Sequence, residues 1–125
     1  MTETPSLKGR RILVVEDEMM IAMLVEDMLT ELGCSVVGPV HALDAALAMA
    51  KTENALDAAV LDVNLAGQPV FAVADALRAI GVPSIFSTGY GESALREVDQ
   101  GAQVLQKPFV AGDLVRALNA TLGTA

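Results

Sequence analysis

Apolar and polar residues alternate along this chain in two kinds of segment. Five short runs of mostly aliphatic residues are typical of buried strands, at 12–15, 35–38, 58–61, 84–87 and 102–105. Between them, apolar residues recur at helical spacing, which predicts helices near 18–32, 43–51, 69–80, 92–99 and 112–122. Repeated strand–helix units indicate an α/β fold, a doubly wound (βα)5 parallel sheet with helices on both faces.

Each predicted helix has one apolar face, which we expect to pack against the sheet. In the first helix this face comprises Ile21, Leu24, Val25, Met28 and Leu32. In the third helix, which should begin near Pro69, it comprises Val70, Val73, Leu77 and Ile80. The fourth helix is short and follows two glycines, so we expect it to be the least stable.

The length of 125 residues corresponds to one ordinary domain. Hydrophobic residues make up 53% of the chain, which disfavours intrinsic disorder. We expect residues 1–10 to form an N-terminal lead-in and residues 11–125 to form a single domain that stands alone, without a separate output domain.

The net charge of −8 argues against binding to nucleic acid or to an anionic membrane surface, since both depend on basic side chains. No apolar run is long enough to span a bilayer, and the N-terminus lacks the pattern of a signal peptide. Cys34 is the only cysteine, so no intrachain disulfide can form. These features favour a cytoplasmic location. His41, the only histidine, is expected to be a solvated loop residue.

Reactive side chains follow four of the five predicted strands. In open parallel sheets, ligands bind at the carboxyl ends of the strands, so these side chains should meet at one edge. They are Glu16 and Asp17 after the first strand, Asp62 and Asn64 after the third, Thr88 after the fourth and Lys107 after the fifth. Taken singly, Glu16 and Asp17 could merely favour a helix N-terminus and Asp62 could cap a helix.

Together the set suits phosphoryl transfer to a carboxylate. Three carboxylates in a small space need a cation, and hard oxygen ligands suit Mg²⁺, with Mn²⁺ as a substitute. Lys107 supplies a positive charge for a phosphoryl oxygen, and Thr88 can donate a hydrogen bond to another. Asp62 is then the nucleophile, and catalysis comes from positioning and charge neutralisation.

Four motifs resemble the CheY-like receiver domain of response regulators over about residues 10–123. They are Ile12-Leu13-Val14-Val15-Glu16-Asp17-Glu18, Leu61-Asp62-Val63, Thr88-Gly89 and Lys107-Pro108-Phe109. The resemblance implies a flavodoxin-like sheet of order 2-1-3-4-5 and a cis peptide bond before Pro108. It also implies Mg²⁺-dependent transfer to Asp62 from a phosphohistidine of a histidine kinase or histidine phosphotransfer protein.

The resemblance also assigns roles within the site. Asp17, Asp62 and the backbone carbonyl of Asn64 would bind Mg²⁺ directly, and Glu16 would act partly through water. Thr88 and Lys107 would contact the phosphoryl group. The module would then signal by contact with a downstream effector protein, or act as a phosphate sink or relay.

One position departs from the usual receiver pattern. Receivers commonly have an aromatic residue three positions before the lysine, where it moves with the threonine, but here that residue is Val104. The run Phe86-Ser87-Thr88-Gly89-Tyr90 is instead similar to the motif of FAT GUY receivers, an alphaproteobacterial subgroup that often lacks output domains. We therefore hypothesise that signalling uses ordering of the Gly89–Gly91 loop and the short fourth helix.

Met19 and Met23 lie on the helix side opposite the predicted apolar face, four residues apart. Exposed methionines suit adaptable docking surfaces, so we hypothesise that this pair helps to bind the helical phosphodonor. Incidental exposure is the alternative.

Two other functions fit the sequence less well. A small phosphatase of the haloacid dehalogenase type also uses an aspartate and Mg²⁺, but it needs a second acid where this chain has Asn64. A dinucleotide-binding module is disfavoured because no G-x-G-x-x-G follows the first strand.

Overall fold

The structure is a computed structural model and describes residues 5–124. The strands are β1 (Arg11–Val15), β2 (Ser35–Val40), β3 (Ala58–Asp62), β4 (Asn64–Leu65), β5 (Gln68–Pro69), β6 (Ser84–Thr88) and β7 (Val104–Gln106). The α-helices are α1 (Met19–Glu31), α2 (Leu43–Thr52), α3 (Phe71–Ala79) and α4 (Ala111–Leu122). Three 3₁₀ turns lie at Pro5–Leu7, Gly91–Ala94 and Glu97–Asp99.

The main sheet is parallel and has the strand order β2-β1-β3-β6-β7. Counted along the chain, these are the second, first, third, fourth and fifth strands of the sheet, so the predicted flavodoxin-like order is confirmed. β1 and β3 are central and are formed almost entirely by buried residues, as expected for strands covered on both faces.

Each face of the sheet has its own hydrophobic core. On one face, alternate strand residues such as Leu61 and Phe86 pack with buried residues of α2 and α3. On the other face, Val60 and Ile85 pack with buried residues of α1 and α4. The alternation of strand side chains therefore decides which strand-end residues share a face of the sheet.

Several sequence predictions about helices are wrong. Leu24 and Ile80 were expected to face inward, but they are 56% and 55% exposed. Leu24 borders a surface groove, and Ile80 lies beyond the last residue of α3, where the chain turns toward β6. Pro69 does not begin α3. It belongs to β5, which pairs with β4 in a small antiparallel hairpin that the sequence did not reveal.

The predicted fourth helix is not an α-helix. Residues 91–94 and 97–99 instead form two separate 3₁₀ turns. The Asp99 side chain is fully buried there, and its carboxylate binds Arg96 at 2.7 Å and Arg78 of α3 at 2.5 Å. These ion pairs tie the second turn to α3 through side chains.

Candidate functional site

The carboxyl ends of four strands bring the predicted residues to one edge of the sheet. An open cleft of about 330 Å³ lies there. Asp17, Asp62, Thr88 and Lys107 line it, together with Asn64 and the hairpin residues Ala66 and Gly67. Glu16 lies beside them, because its carboxylate contacts Lys107. The structure therefore gathers all six residues whose positions at strand ends singled them out.

The three acidic side chains form one cluster. One carboxylate oxygen from each of Glu16, Asp17 and Asp62 lies within 4.8 Å of the others. Glu16 and Asp62 are only 3% and 5% exposed, whereas Asp17 is half-buried. Two of the three carboxylates therefore have little access to water that could screen their mutual repulsion.

Lys107 is the cation that faces this cluster in the structure. Its Nζ lies 3.0 Å from Glu16 Oε1 and 3.3 Å from Asp62 Oδ2. Its backbone N–H donates to the Thr88 carbonyl at 2.9 Å, and the following peptide bond to Pro108 is cis. The backbone of Lys107, just beyond β7, is thus attached to β6, while its side chain extends across the site.

Electrostatics make Asp62 the unusual acid of the site. Burial, hydrogen bonds with Asp17 and Glu16 and the negative charge of Glu16 together raise the pKa of Asp62 to about 7, despite the opposing charge of Lys107. Burial works to raise the pKa of Asp17 as well, but hydrogen bonds, chiefly with Asp62, bring it below its ordinary value. Burial works to lower the pKa of Lys107, and its acidic partners more than reverse this effect.

The acidic cluster fits a divalent cation. Three carboxylates facing one amine leave an excess of negative charge, which adds to burial in raising the pKa of Asp62. All the side-chain donors offered are hard oxygens, which Mg²⁺ prefers.

The β4–β5 hairpin covers one side of the cleft. The Asn64 N–H donates to Asp62 Oδ1 at 3.2 Å, while the exposed Asn64 side chain accepts from the Gly67 N–H at 2.7 Å. The Ala66 N–H donates to Asp17 Oδ2 at 3.1 Å. The hairpin backbone thereby orients two of the three carboxylates. Asn64-Leu65-Ala66-Gly67 contains a turn-favouring glycine, which is the one sequence signal for it.

His41 supports the loop that carries the first two acids. It is exposed, as expected, but its Nδ1 lies 3.0 Å from the Glu16 carbonyl, and the adjacent Val40 carbonyl accepts from the Glu16 N–H at 3.0 Å. β2 reaches this point because it contains one extra residue relative to β1 between Val37 and Val40.

Thr88 and its neighbours close the other side of the cleft. Thr88 is buried, and its hydroxyl accepts from the Tyr90 N–H at 3.0 Å. Ser87 is also buried and pairs in register with Asp62, on the adjacent strand. Within residues 5–124, Ser87 Oγ is a buried side-chain oxygen without a hydrogen-bond partner.

Met19 and Met23 lie on an exposed apolar patch of α1, a helix that begins directly after Glu18 of the cleft lining. They are 60% and 55% exposed. The neighbouring Met20 and Leu24 are exposed too. A groove of about 250 Å³ continues the patch between α1 and Pro108-Phe109, and Lys107 lies in its lining. In the part of the chain that the structure describes, no helix could cross a bilayer.

Comparisons with known proteins place these features in a family. The response regulator receiver domain family matches residues 12–119. The solution structure of SdrG from Sphingomonas melonis Fr1 is 41% identical, with a TM-score of 0.81, and the match covers 91% of this chain and 97% of that one. The crystal structure of the receiver domain of sensor histidine kinase PA1611 from Pseudomonas aeruginosa PAO1 has a magnesium ion coordinated in its active site cleft. It is 28% identical, with a TM-score of 0.76, over 93% of this chain and 99% of that one.

The phyllosphere-induced regulator PhyR of Methylorubrum extorquens is 32% identical over 114 residues, which are 89% of this chain and 43% of PhyR. The chain spans less than half the length of the curated relatives that it matches. The similarity to PhyR and SdrG is consistent with the FAT GUY subgroup, and the comparisons give no support to a haloacid dehalogenase-type phosphatase. The chain belongs to the receiver domain family of two-component response regulators.

Proposed function

We propose that this receiver accepts a phosphoryl group on Asp62 from a phosphohistidine, in a Mg²⁺-dependent reaction. The observation that carries the proposal is the setting of Asp62. It is a buried carboxylate in a three-acid cluster, it opens onto the cleft, and it lies 3.3 Å from the Lys107 ammonium. Among the acids that the structure describes, Asp62 alone combines these contacts.

The residues that would hold the cation are Asp17, Asp62 and the Asn64 backbone carbonyl, with Glu16 acting partly through water. A bound Mg²⁺, or Mn²⁺ in its place, supplies charge neutralisation for the carboxylates and for the incoming phosphoryl oxygens. The receiver with magnesium in its active site cleft supports this assignment by similarity.

The transfer itself needs little from the protein beyond position and charge. An Asp62 carboxylate oxygen attacks phosphorus, a P–O bond forms, and the P–N bond to the donor imidazole breaks as that nitrogen keeps the electron pair. The Lys107 ammonium group then binds a phosphoryl oxygen in place of part of its contact with the carboxylates, and the Thr88 hydroxyl donates a hydrogen bond to another phosphoryl oxygen. Ionised Asp62 is the reactive form, so neutralisation of the cluster also prepares the nucleophile.

The donor would dock on the methionine patch of α1. Met19 and Met23 are exposed, and Met19 directly follows Glu18 of the cleft lining, so a helical histidine kinase or phosphotransfer protein seated there would bring its histidine to Asp62. A Met19→Glu, Met23→Glu variant should slow phosphotransfer severalfold without loss of thermal stability. Val98→Glu, another exposed apolar position, is the matched control. Unchanged transfer in the double variant would remove this part of the proposal.

We further propose that residues 11–125 are the receiver unit and that residues 1–10 are a lead-in, which packs onto that unit through the buried Leu7. The module would work in the cytoplasm, either through contact with an effector protein or as a phosphate sink or relay. Residues 1–4 and 125 lie outside the described part of the chain.

Phosphotransfer profiling against a panel of histidine kinases and phosphotransfer proteins tests the function. We expect stoichiometric, acid-stable and base-labile labelling of the wild type by at least one donor, and none of Asp62→Ala. A wild type that stays unlabelled across the panel would refute the proposal. Rapid multiple-turnover hydrolysis of a phosphate ester would point to the phosphatase alternative instead.

A further inference from the structure

Gln106 binds the loop that follows Thr88. Its Nε2 donates to the Gly89 carbonyl at 2.9 Å. The Thr88 hydroxyl accepts from the Tyr90 N–H at 3.0 Å, so two side chains bind the two polar groups of a single peptide unit, the one that joins Gly89 to Tyr90. The loop is therefore fixed to the sheet at Gly89 by β7 and at Tyr90 by β6.

Strand register explains why Gln106 occupies this place. Phe86 pairs with Val104, and Thr88 pairs with Gln106. The side chains of all four residues therefore lie on the same face of the sheet. Val104 packs against the core beside Phe86 and has no ring that could follow Thr88. The side chain that contacts the threonine's loop is instead the amide two residues further along β7.

Gly91 shows how closely the amide fits the loop. A Cβ on Gly91 would lie 3.0 Å from Gln106 Oε1, and the backbone there has a φ of +67°, a conformation that favours glycine. The carboxamide thus lies between Gly89, which accepts its N–H, and Gly91, which leaves room for its oxygen.

We propose that Gln106 is a positioning residue that holds the Gly89–Gly91 loop in its unphosphorylated conformation and so opposes the turning of Thr88 toward a phosphoryl group. The proposal rests on the proposed phosphorylation of Asp62. When Thr88 turns toward Asp62, its bond with the Tyr90 N–H breaks and the loop is released on that side. The bond from Gln106 to Gly89 is then the remaining tether, and its strength sets how readily the loop rearranges.

Gln106→Met tests this directly, because methionine has a similar length and no donor. The probe is beryllofluoride with Mg²⁺, a mimic of the phosphoryl group, titrated into the full chain and followed by NMR. Since an exposed hydrogen bond contributes modestly, we expect Gln106→Met to bind the probe about threefold more tightly than the wild type. We also expect faster amide hydrogen exchange at residues 89–91 before the probe is added. Gln103→Met, an exposed glutamine just before the same strand, should match the wild type.

A double-mutant cycle separates a specific contact from a general loss of structure. Gly91→Ala should also tighten probe binding, because the new Cβ displaces the Gln106 carboxamide, while the strain of alanine at a φ of +67° adds the same amount in either background. In the Gln106→Met background the same substitution should tighten binding much less. Thermal unfolding of each variant shows that the fold is retained.

The outcomes distinguish this inference from the function on which it rests. Probe binding by Gln106→Met that is unchanged or weaker, with normal binding by the wild type, would overturn the role of Gln106 alone. Additive effects of Gly91→Ala and Gln106→Met would do the same. Failure of the wild type to bind the probe at all would instead count against phosphorylation at Asp62.

Discussion

Replacing Asp62 by asparagine should stabilise the protein, although it removes the proposed acceptor. The structure raises the pKa of Asp62 from 3.8 to about 7, so the folded state holds its proton more tightly than the unfolded state does. Protonated Asp62 costs the fold nothing at low pH, and the free energy of unfolding falls as Asp62 ionises, until pH has risen through the folded-state pKa. Above that pH the ionised Asp62 carboxylate lowers the free energy of unfolding by a constant amount.

The size of the effect follows from the same difference. Roughly three pH units at 1.36 kcal/mol each give about 4 kcal/mol at pH 8, decreasing to about 2 kcal/mol at pH 5. These values already contain the attraction of Lys107, since the raised pKa is what remains after that attraction is subtracted. Asparagine has almost the same shape and no charge, so Asp62→Asn should recover most of the difference.

Urea unfolding followed by circular dichroism, with a chelator present, measures the gain. We expect Asp62→Asn to increase the free energy of unfolding by about 2 to 4 kcal/mol at pH 8 and by about half as much at pH 5. Asp27→Asn, at an exposed position of α1, is the matched control and should show little change. A gain that is independent of pH, or a loss of stability at pH 8, would refute the electrostatic account of the cluster.

Three further predictions concern other parts of the molecule. Ser87→Ala should raise the free energy of unfolding by about 1 kcal/mol, because it removes a buried hydroxyl without a partner, and a clear loss in urea titration would contradict this. Asp99→Asn should lower the free energy of unfolding by about 2 kcal/mol, because the fully buried Asp99 carboxylate binds two arginines. Arg116→Ala, which removes an exposed ion pair with Asp113, should lower it by less than about 1 kcal/mol, and equal effects would contradict the burial argument. Mg²⁺ at about a hundred times its dissociation constant should stabilise the wild type by about 2.7 kcal/mol and Asp62→Asn by much less. Scanning calorimetry measures both effects, and equal stabilisation would mean that the ion binds elsewhere.

The sheet and the convergence of the site could be predicted because both follow from local patterns. Buried aliphatic runs identify parallel strands, and parallel strands bring their carboxyl ends to one edge. For that reason the sequence alone predicts that Asp62 and Lys107, 45 positions apart along the chain, lie together. Their roles in phosphorylation remain proposals.

The errors lie where local pattern gives no information about what covers a residue. Leu24 has the spacing of a core position, but it borders a groove instead of lying beneath another element. Pro69 suits the start of a helix, yet an edge position of a two-stranded hairpin suits it equally well. The segment 92–99 has few apolar residues for packing against the sheet, and the buried Asp99 carboxylate binds it to α3 through an ion pair with Arg78.

The side-chain contacts that support the loops around the site could not be predicted from the sequence either. His41 contacts the Glu16 carbonyl at the end of a strand with one extra residue, and Gln106 contacts Gly89 through the register between β6 and β7. His41 is the only histidine and was expected to be a solvated loop residue, and Gln106 is an exposed glutamine, so nothing in the sequence predicts either contact.

The most direct test of the account is to identify the residue that carries the phosphoryl group. After transfer from a phosphohistidine donor in Mg²⁺, borohydride reduction converts an aspartyl phosphate to homoserine, and peptide mass spectrometry then locates the modified position. The account predicts modification at Asp62 alone, lost in Asp62→Asn and when Mg²⁺ is removed. Modification at Asp17 or Glu16, or none in a receiver that retains its fold, would contradict the central claim.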